Sequence, residues 1–300
     1  MKTIALILAA GRENQMHSGR AKELHQLVGK SLLETTAETL RPLAGKTIVV
    51  LGHHAQELQP ALPEWCLSCI QDFSLGFGTA MATLAALPLI EEDAKDVDHP
   101  EGYDRVVFDG DGDVKRIAHA DRLMPQEEEI SSINVGVYCF TYSVLRKALL
   151  NMEPDIHHVY HISDQIDRLG SEGHRIAAIA VEHPQEGRRI VSRADLAEAT
   201  SFIVRRNCQR LMQSGVTLLD PANTYVEGDV EVGRDTIIYP GCVLQRGTRV
   251  GERCVLYPGC RLLRTVVGDE AIVEQAIAED SVIAPGSRVG PYVHLHAEHR

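Results

Sequence analysis

The feature that most constrains this 300-residue chain is a six-residue periodicity near its carboxyl end. Aliphatic residues recur at Val226, Val232, Ile238, Leu244, Val250, Leu256 and Leu262, and again at Ile277, Ile283, Val289 and Leu295. Short strands repeated at a fixed period cannot bury a face alone; they stack, each repeat covering the next. Turn pieces such as Tyr239-Pro240-Gly241 and Tyr257-Pro258-Gly259 fit a coil that bends every six residues around an inner aliphatic column. The change of phase between Leu262 and Ile277 predicts a small insertion in one coil. Cys242, Cys254 and Cys260 each follow an aliphatic position by four residues, where small side chains pack inward, so they read as core rather than as chemistry.

Ahead of the repeat, Arg193 to Gln213 has a helical pattern that stops at Ser214-Gly215, which puts a domain boundary near residue 215. The opening of the chain has a different periodicity. Ile4 to Leu8 is an apolar run ending at Gly11, Thr47 to Leu51 is another ending at Gly52, and a helix-like stretch from Ser31 to Leu43 separates them. Strand, helix, strand predicts a parallel sheet whose ligands lie beyond the carboxyl ends of its strands. Thr79 to Leu89 reads as a further helix and Glu91 to Gly102 as acidic and irregular. Arg105 to Phe108 and Ile133 to Phe140 read as strand around the turn-rich Asp109-Gly110-Asp111-Gly112-Asp113. That run imitates a calcium loop, but Val114 and Ala120 stand where the loop needs glycine and glutamate, so a hairpin turn is the better account. His157, His158 and His161 lack convincing ligand spacing; structural or sugar-facing roles fit them better than metal.

A chain of this length exceeds what one core usually organises, so two folded domains are expected. A formal charge of -12 leaves no basic surplus for nucleic acid or an anionic membrane, and small-molecule or protein partners are favoured. Seven cysteines without a framework spacing predict reduced thiols in a cytoplasmic protein, and the lone Cys66/Cys69 pair reads as small side chains at a strand edge. Residues Thr3 to Ala10 imitate a signal peptide, but the run is short and leads into polar Gly11-Arg12-Glu13-Asn14; a buried first strand is the better reading. Nothing in the sequence reaches the roughly 18 apolar residues of a membrane span.

Taken in order, LILAAG, LHQLVGKSLLE, VLGHHAQEL, GFGTAMA, GYDRVV, INVGVY, GVTLLDPANTY and the hexapeptides resemble the motifs of the GlmU family across essentially the whole chain. The resemblance implies an α/β fold: a shortened Rossmann-like nucleotidyltransferase domain over residues 1–192, a linker helix over 193–215, and a truncated left-handed parallel β-helix over 216–300. It also implies two activities: magnesium-dependent joining of UTP to N-acetylglucosamine 1-phosphate, and acetyl transfer from acetyl-CoA by the β-helix. Leu8, Ala9, Ala10, Gly11 and Lys22 match the family's phosphate-side loop, and Gln71, Gly78 and Thr79 its uracil-reading residues. Gly102 and Asn134 match on the sugar side, Ser163 replaces a threonine, and His119 stands where a sugar-binding glutamate is expected.

The departures bear on catalysis. Glu13 replaces a loop glycine and Gln15 the loop arginine, so a charge and a β-carbon enter where backbone and a guanidinium should meet phosphate. The family's magnesium-binding Gly-Asp-x-Pro-Leu segment has no counterpart beyond Leu87-Pro88-Leu89, and Val191 stands in place of its second metal ligand, an asparagine. Valine cannot coordinate magnesium. Gly290-Pro291-Tyr292 begins a family motif, but the later acetyl-transfer coils are absent from the sequence. The expectation is a protein without uridylyl or acetyl transfer that keeps a nucleotide or sugar-nucleotide site for UTP or UDP-N-acetylglucosamine in a binding or regulatory role, as a homo-oligomer with a trimer favoured. No metal site is assigned, and Mg2+ is a cofactor only under the alternative of an active nucleotidyltransferase on a changed sugar 1-phosphate. A further alternative is a structural partner that assembles through its β-helix.

Overall fold

The computed structural model describes the chain except residues 1–2, 12–14, 90–103, 109–112, 119–123, 125, 127–129, 131, 153–158, 180–183 and 297–300. The chain divides into two compact units, Met1–His25 with Ser31–Asp195 and Gln26–Lys30 with Leu196–Arg300.

In the first unit, β1 (Ile4–Ala9) is followed by α1 (Leu32–Leu40) and β4 (Lys46–Leu51), while β2 (Gln26–Leu27) and β3 (Lys30–Ser31) form a small two-stranded sheet whose residues 26–30 belong to the second unit. α2 (Ala55–Leu58) precedes β5 (Leu67–Ile70), and α3 is Thr79–Ala86. β1, β4 and β5 form a parallel sheet in that order, with Ala9 opposite Leu51 and Leu51 opposite Ile70, so all three carboxyl ends reach one edge. Both faces of β1 are buried, which explains its unbroken apolar run. Ala5, Ile7 and Ala9 pack with Val49 and Leu51 beneath Leu33 and Ala37 of α1; Ile4 and Leu6 pack with Ile48 and Val50 beneath Ala82 and Ala86 of α3. Among the described residues β1 pairs with β4 alone.

Two helices are shorter than their patterns predict. α1 stops at Leu40 because Pro42 cannot donate a helical hydrogen bond, and α3 stops at Ala86, Pro88 tightening Leu87–Leu89 into a 3-10 turn. A second, antiparallel sheet has β6 (Asp104–Phe108) between β7 (Val114–Ala118) and β8 (Ile133–Asn134). Of the strand expected over Ile133 to Phe140 only Ile133–Asn134 forms: the Asn134 side-chain oxygen accepts the Gly136 N–H at 3.0 Å, and Gly136 turns to φ 75°. The expected turn at Asp109 to Gly112 lies outside the described residues, although β6 and β7 on either side of it do pair antiparallel. α4 (Tyr142–Leu150) and α5 (Asp164–Ser171) cover this sheet with Leu145, Leu149, Ile166 and Leu169.

α6 (Arg193–Gln213) spans the residues its pattern predicts, and from Leu196 onward it belongs to the second unit. There Cys208 and Leu211 pack on the first coil, and the Asn207 amide donates to the Val226 carbonyl at 2.9 Å, satisfying a strand edge. The coils form three parallel sheets whose successive strands pair coil on coil, a β-helix. The expected phase is corrected here. Ala278, not Ile277, faces inward: Ala278 is fully buried, Ile277 is 37% exposed, and Ala278 stands opposite Leu262. The inward positions after Leu262 are Val267, Val273, Ala278, Ile283, Val289 and Leu295, so three corners have lost a residue and no coil has gained one. The backbone records the difference. At ordinary corners the left-handed residue is the third after an inward position, as at Gly241, Gly259 and Arg253; at the shortened corners it is the second, at Arg264, Gln275 and Asp280. A left-handed residue with a β-carbon costs roughly 1–2 kcal/mol, more than an exposed ion pair returns, so the pairs Arg253–Glu270 and Arg264–Asp280 between stacked corners offset only part of it. Cys242, Cys254 and Cys260 are fully buried in the interior, as their spacing predicts.

Truncating the column should be costly and truncating the outer face should not. Leu256→Ala, at a fully buried position, is expected to lose about 2–5 kcal/mol. Val282→Ala, at a position 78% exposed, should stay within about 0.5 kcal/mol; denaturant unfolding of both variants checks the pair.

Candidate functional site

The carboxyl edge of the parallel sheet gathers most of the residues expected on the nucleotide side. Ala9 and Ala10 are buried, Leu8 is half-buried and Gly11 is exposed at the end of β1. β4 approaches so closely there that a β-carbon on Gly52 would stand 2.5 Å from the Ala10 carbonyl oxygen. Glycine at 52 is thus what lets the two strand ends meet. The returning segment is anchored by Met16, which is 1% exposed, and by the Glu57 carboxylate of α2, which accepts the Ala21 N–H at 3.1 Å. Lys22 follows, half-buried, at the start of a 3-10 turn, while Gln15 is exposed. Glu13 lies outside the described residues.

Beyond β5, Gln71 is buried and its amide donates to the Gly76 carbonyl at 3.2 Å, closing the loop on itself. Gly76 and Gly78 adopt φ 142° and 106°, and a β-carbon at Gly78 would lie 2.2 Å from the Tyr160 carbonyl oxygen. Tyr160 holds this loop from the other side: its N–H donates to Phe77 O at 2.9 Å, and its carbonyl accepts from Ala80 N at 3.0 Å. The Thr79 hydroxyl accepts the Ile162 N–H at 3.0 Å. Gly78 and Thr79 are therefore tied directly to the segment carrying His161, which is half-buried, and Ser163, which is buried and precedes α5. That link joins residues expected on the nucleoside side to one expected on the sugar side.

Asn134 is buried, but its amide is committed locally: it donates to the Tyr138 hydroxyl and accepts from Gly136 N. Gly102 and His119, like His157 and His158, lie outside the described residues. The residues the sequence did not point to are three rings at the same sheet edge. His53 and Phe73 stack with centroids 4.0 Å apart and planes 10° apart, and Phe73 stacks on Phe77 at 5.6 Å and 25°. A signal was present, because two of the chain's five phenylalanines fall in this one loop.

The position of the expected metal ligand is occupied by a helix cap. The Asp195 carboxylate accepts from Val191 N at 3.2 Å, Ser192 N at 2.8 Å and the Ser192 hydroxyl at 2.7 Å, while Ser192 Oγ accepts from Asp195 N at 3.2 Å. This reciprocal arrangement satisfies donors that the first turn of α6 would leave unpaired. It holds Asp195 below the usual carboxylate range, chiefly through the Ser192 hydroxyl and then through the Ser192 N–H. Val191 brings no donor atom and Asp195 is engaged in the cap, so this donor set does not fit Mg2+. Among the described residues no three His, Cys, Asp or Glu side chains are gathered as a metal would require. His25 is also buried, and its Nε2 has no hydrogen-bond partner; burial, then the charges of Arg193 and Arg20, lower its pKa.

Residues 5–108 match the model of the MobA-like NTP transferase domain. Over nearly its whole length the chain is also similar to proteins named bifunctional protein GlmU. That of Pelotomaculum thermopropionicum is 34% identical, with 100% of this chain and 74% of the relative covered. Those of Acetivibrio thermocellus and Alkaliphilus metalliredigens are 31% and 29% identical, covering 97% and 99% of this chain and 71% and 73% of the relatives. The alignment to the Pelotomaculum protein runs over 338 positions against the 300 residues here, so that relative carries stretches with no counterpart in this chain.

The cap makes a prediction about acid. Because folding lowers the Asp195 pKa, its contribution is complete above the unfolded value near 3.9 and is lost as pH falls through the lower folded value. Asp195→Asn should therefore reduce stability at pH 7 and flatten the loss below about pH 4, and Ser192→Ala should cost about 0.5–2 kcal/mol at neutral pH; urea midpoints measured from pH 7 to pH 2 report both.

Proposed function

Because this chain belongs to the GlmU family, we propose that it is a nucleotide or sugar-nucleotide binding protein of the UDP-N-acetylglucosamine type that has given up uridylyl transfer. The observation that carries the reading is the cap at Val191-Ser192-Asp195. Phosphoryl transfer is positioning and charge neutralisation, and it requires cations held where charge develops. At the place where the family's pattern supplies an amide ligand, this chain has an aliphatic side chain, and the neighbouring carboxylate is spent on a helix terminus. The other expected ligand belongs to the family's Gly-Asp-x-Pro-Leu segment, which has no sequence counterpart here beyond Leu87-Pro88-Leu89. Binding groups survive by contrast: Leu8 to Gly11 at the end of β1, Lys22 beside it, and Gln71, Gly78 and Thr79 on a loop fixed to Tyr160.

The surviving Lys22, Gln71, Gly78 and Thr79, together with the MobA-like match, also support the second reading, an active nucleotidyltransferase with a changed sugar 1-phosphate. The two differ in their need for metal. For the β-helix we propose self-association, with a trimer favoured; a support is the outward row Ile237, Val255 and Ile272, which is aliphatic where a solvated face would be polar. The seven free cysteines fit a reducing, cytoplasmic setting.

Titration of UTP and of UDP-N-acetylglucosamine into purified protein should give binding that magnesium does not strengthen, and incubation with UTP, Mg2+ and N-acetylglucosamine 1-phosphate should release no pyrophosphate. Metal-dependent turnover would overturn this reading in favour of the second. Light scattering should report a mass of about three chains, and a monomer would remove the self-association proposal.

A further inference from the structure

The loop after β5 and the chain before α5 form one bridged element. Phe77 pairs with Val159 in a parallel bridge, and the Tyr160 N–H donates to the Phe77 carbonyl at 2.9 Å. The Ala80 N–H donates back to the Tyr160 carbonyl at 3.0 Å, and the Ile162 N–H donates to the Thr79 hydroxyl at 3.0 Å. Gly78 leaves no room for a β-carbon against the Tyr160 carbonyl, and one at Gly76 would stand 2.9 Å from the Tyr160 ring. Gln71 closes the same loop through the Gly76 carbonyl. Gln71, Gly78 and Thr79, expected on the nucleoside side, and Ser163, expected on the sugar side, are thus set by one another before a ligand arrives. The phosphate side has a different character. The limb that carries Arg20 and Lys22 is tied at the Ala21 N–H to the Glu57 carboxylate, so a negative charge already stands beside it, and the Val191-Ser192-Asp195 cap offers no donor set for Mg2+.

We propose that this bridged element takes a nucleoside diphosphate already joined to a sugar, and takes it in preference to a free nucleoside triphosphate. The inference rests on the nucleotide-binding reading above and names the ligand class within it. Two physical effects favour the joined ligand. A ligand whose base and sugar ends are covalently linked fills both sides of the element in one event, so its second contact is made at high effective concentration, and the element is ordered by folding rather than on binding. A triphosphate gains nothing from the Ser163 side, and it brings more negative charge to a limb that Glu57 already faces. Magnesium ordinarily shares the charge of a triphosphate with protein ligands, and Val191 and Asp195, engaged in the cap, do not supply them. A diphosphate that bridges base and sugar carries less charge and needs less neutralisation.

The test titrates UDP-N-acetylglucosamine, UDP-glucose, UDP and UTP into the full chain without metal, and repeats the series on Thr79→Val, which keeps the shape of the side chain and removes the acceptor of the Ile162 N–H. The tighter of the two sugar nucleotides should bind the parent protein at least about tenfold more tightly than UTP does. Thr79→Val should cut the advantage of that sugar nucleotide over UDP roughly 2- to 10-fold, the range of one hydrogen bond, and Thr79→Ser, which keeps the hydroxyl, should restore it. The comparison with UTP is made on the parent protein, so it stands whether or not Thr79→Val folds. If UTP binds as tightly as both sugar nucleotides, or if a folded Thr79→Val leaves the advantage over UDP unchanged, the inference falls while the nucleotide reading stands. If none of the four ligands binds the parent protein, both fall.

Discussion

Parallel strand pairing is the constraint on which both units depend. A parallel strand cannot be joined to its neighbour by a tight turn, so each pairing must wait for an intervening element or a complete circuit of chain. The first unit meets this with α1 between β1 and β4, and the second with coils whose strands pair only after a full turn. In each case the interior is shared by residues distant in sequence, as with Ile4 and Ile48 under Ala82, or Leu244 over Leu262. Neither interior forms piecemeal.

The sheet edge that results carries the residues expected on the nucleotide side, and its geometry follows from two close backbone approaches. Gly52 lets the ends of β1 and β4 touch at Ala10, and Gly78 lets the loop after β5 press against Tyr160. A β-carbon at either place would have to displace backbone rather than a movable side chain. The first approach positions the loop expected on the phosphate side; the second fixes the loop expected on the base side to the chain that leads into Ser163. The shape of this edge is therefore set by the absence of a β-carbon at two positions.

Much of this was legible in sequence, and what was not had specific physical causes. β1, β4 and α6 follow from local apolar patterning, because burial on both faces or along one helical stripe leaves a direct trace. Ile283, Val289 and Leu295 face inward as expected, but the expected column is off by one residue at Ile277, which is aliphatic and sits beside the true inward residue, Ala278; a strict count of six does not foresee a five-residue corner. The strand expected from Ile133 was ended by a side-chain turn at Asn134, whose competition with the ladder does not alter hydrophobic pattern. His53, Phe73 and Phe77 come from two loops, and only the pairing of β4 with β5 brings those loops together. The commitment of Gln71 and Asn134 to their own loops is likewise invisible to a motif, which records residue identity and not partners.

The shortened corners have a consequence for how the second unit is held together along its length. As corners lose residues, the inward side chains shrink with the circuit: Cys254 gives way to Ala271, Cys260 to Ala276 and Leu262 to Ala278, all fully buried. The next circuit restores the bulk, with Ile283 beside Val267 and Leu295 beside Ala278. Apolar burial contributes roughly 25 cal/mol per Å2, so the Ala-lined circuit gains less from closing than the Leu-lined one before it. It is a thin place inside the stack, and in the folded protein its amides should exchange sooner than those of the coils that carry Leu244, Leu256 and Leu262.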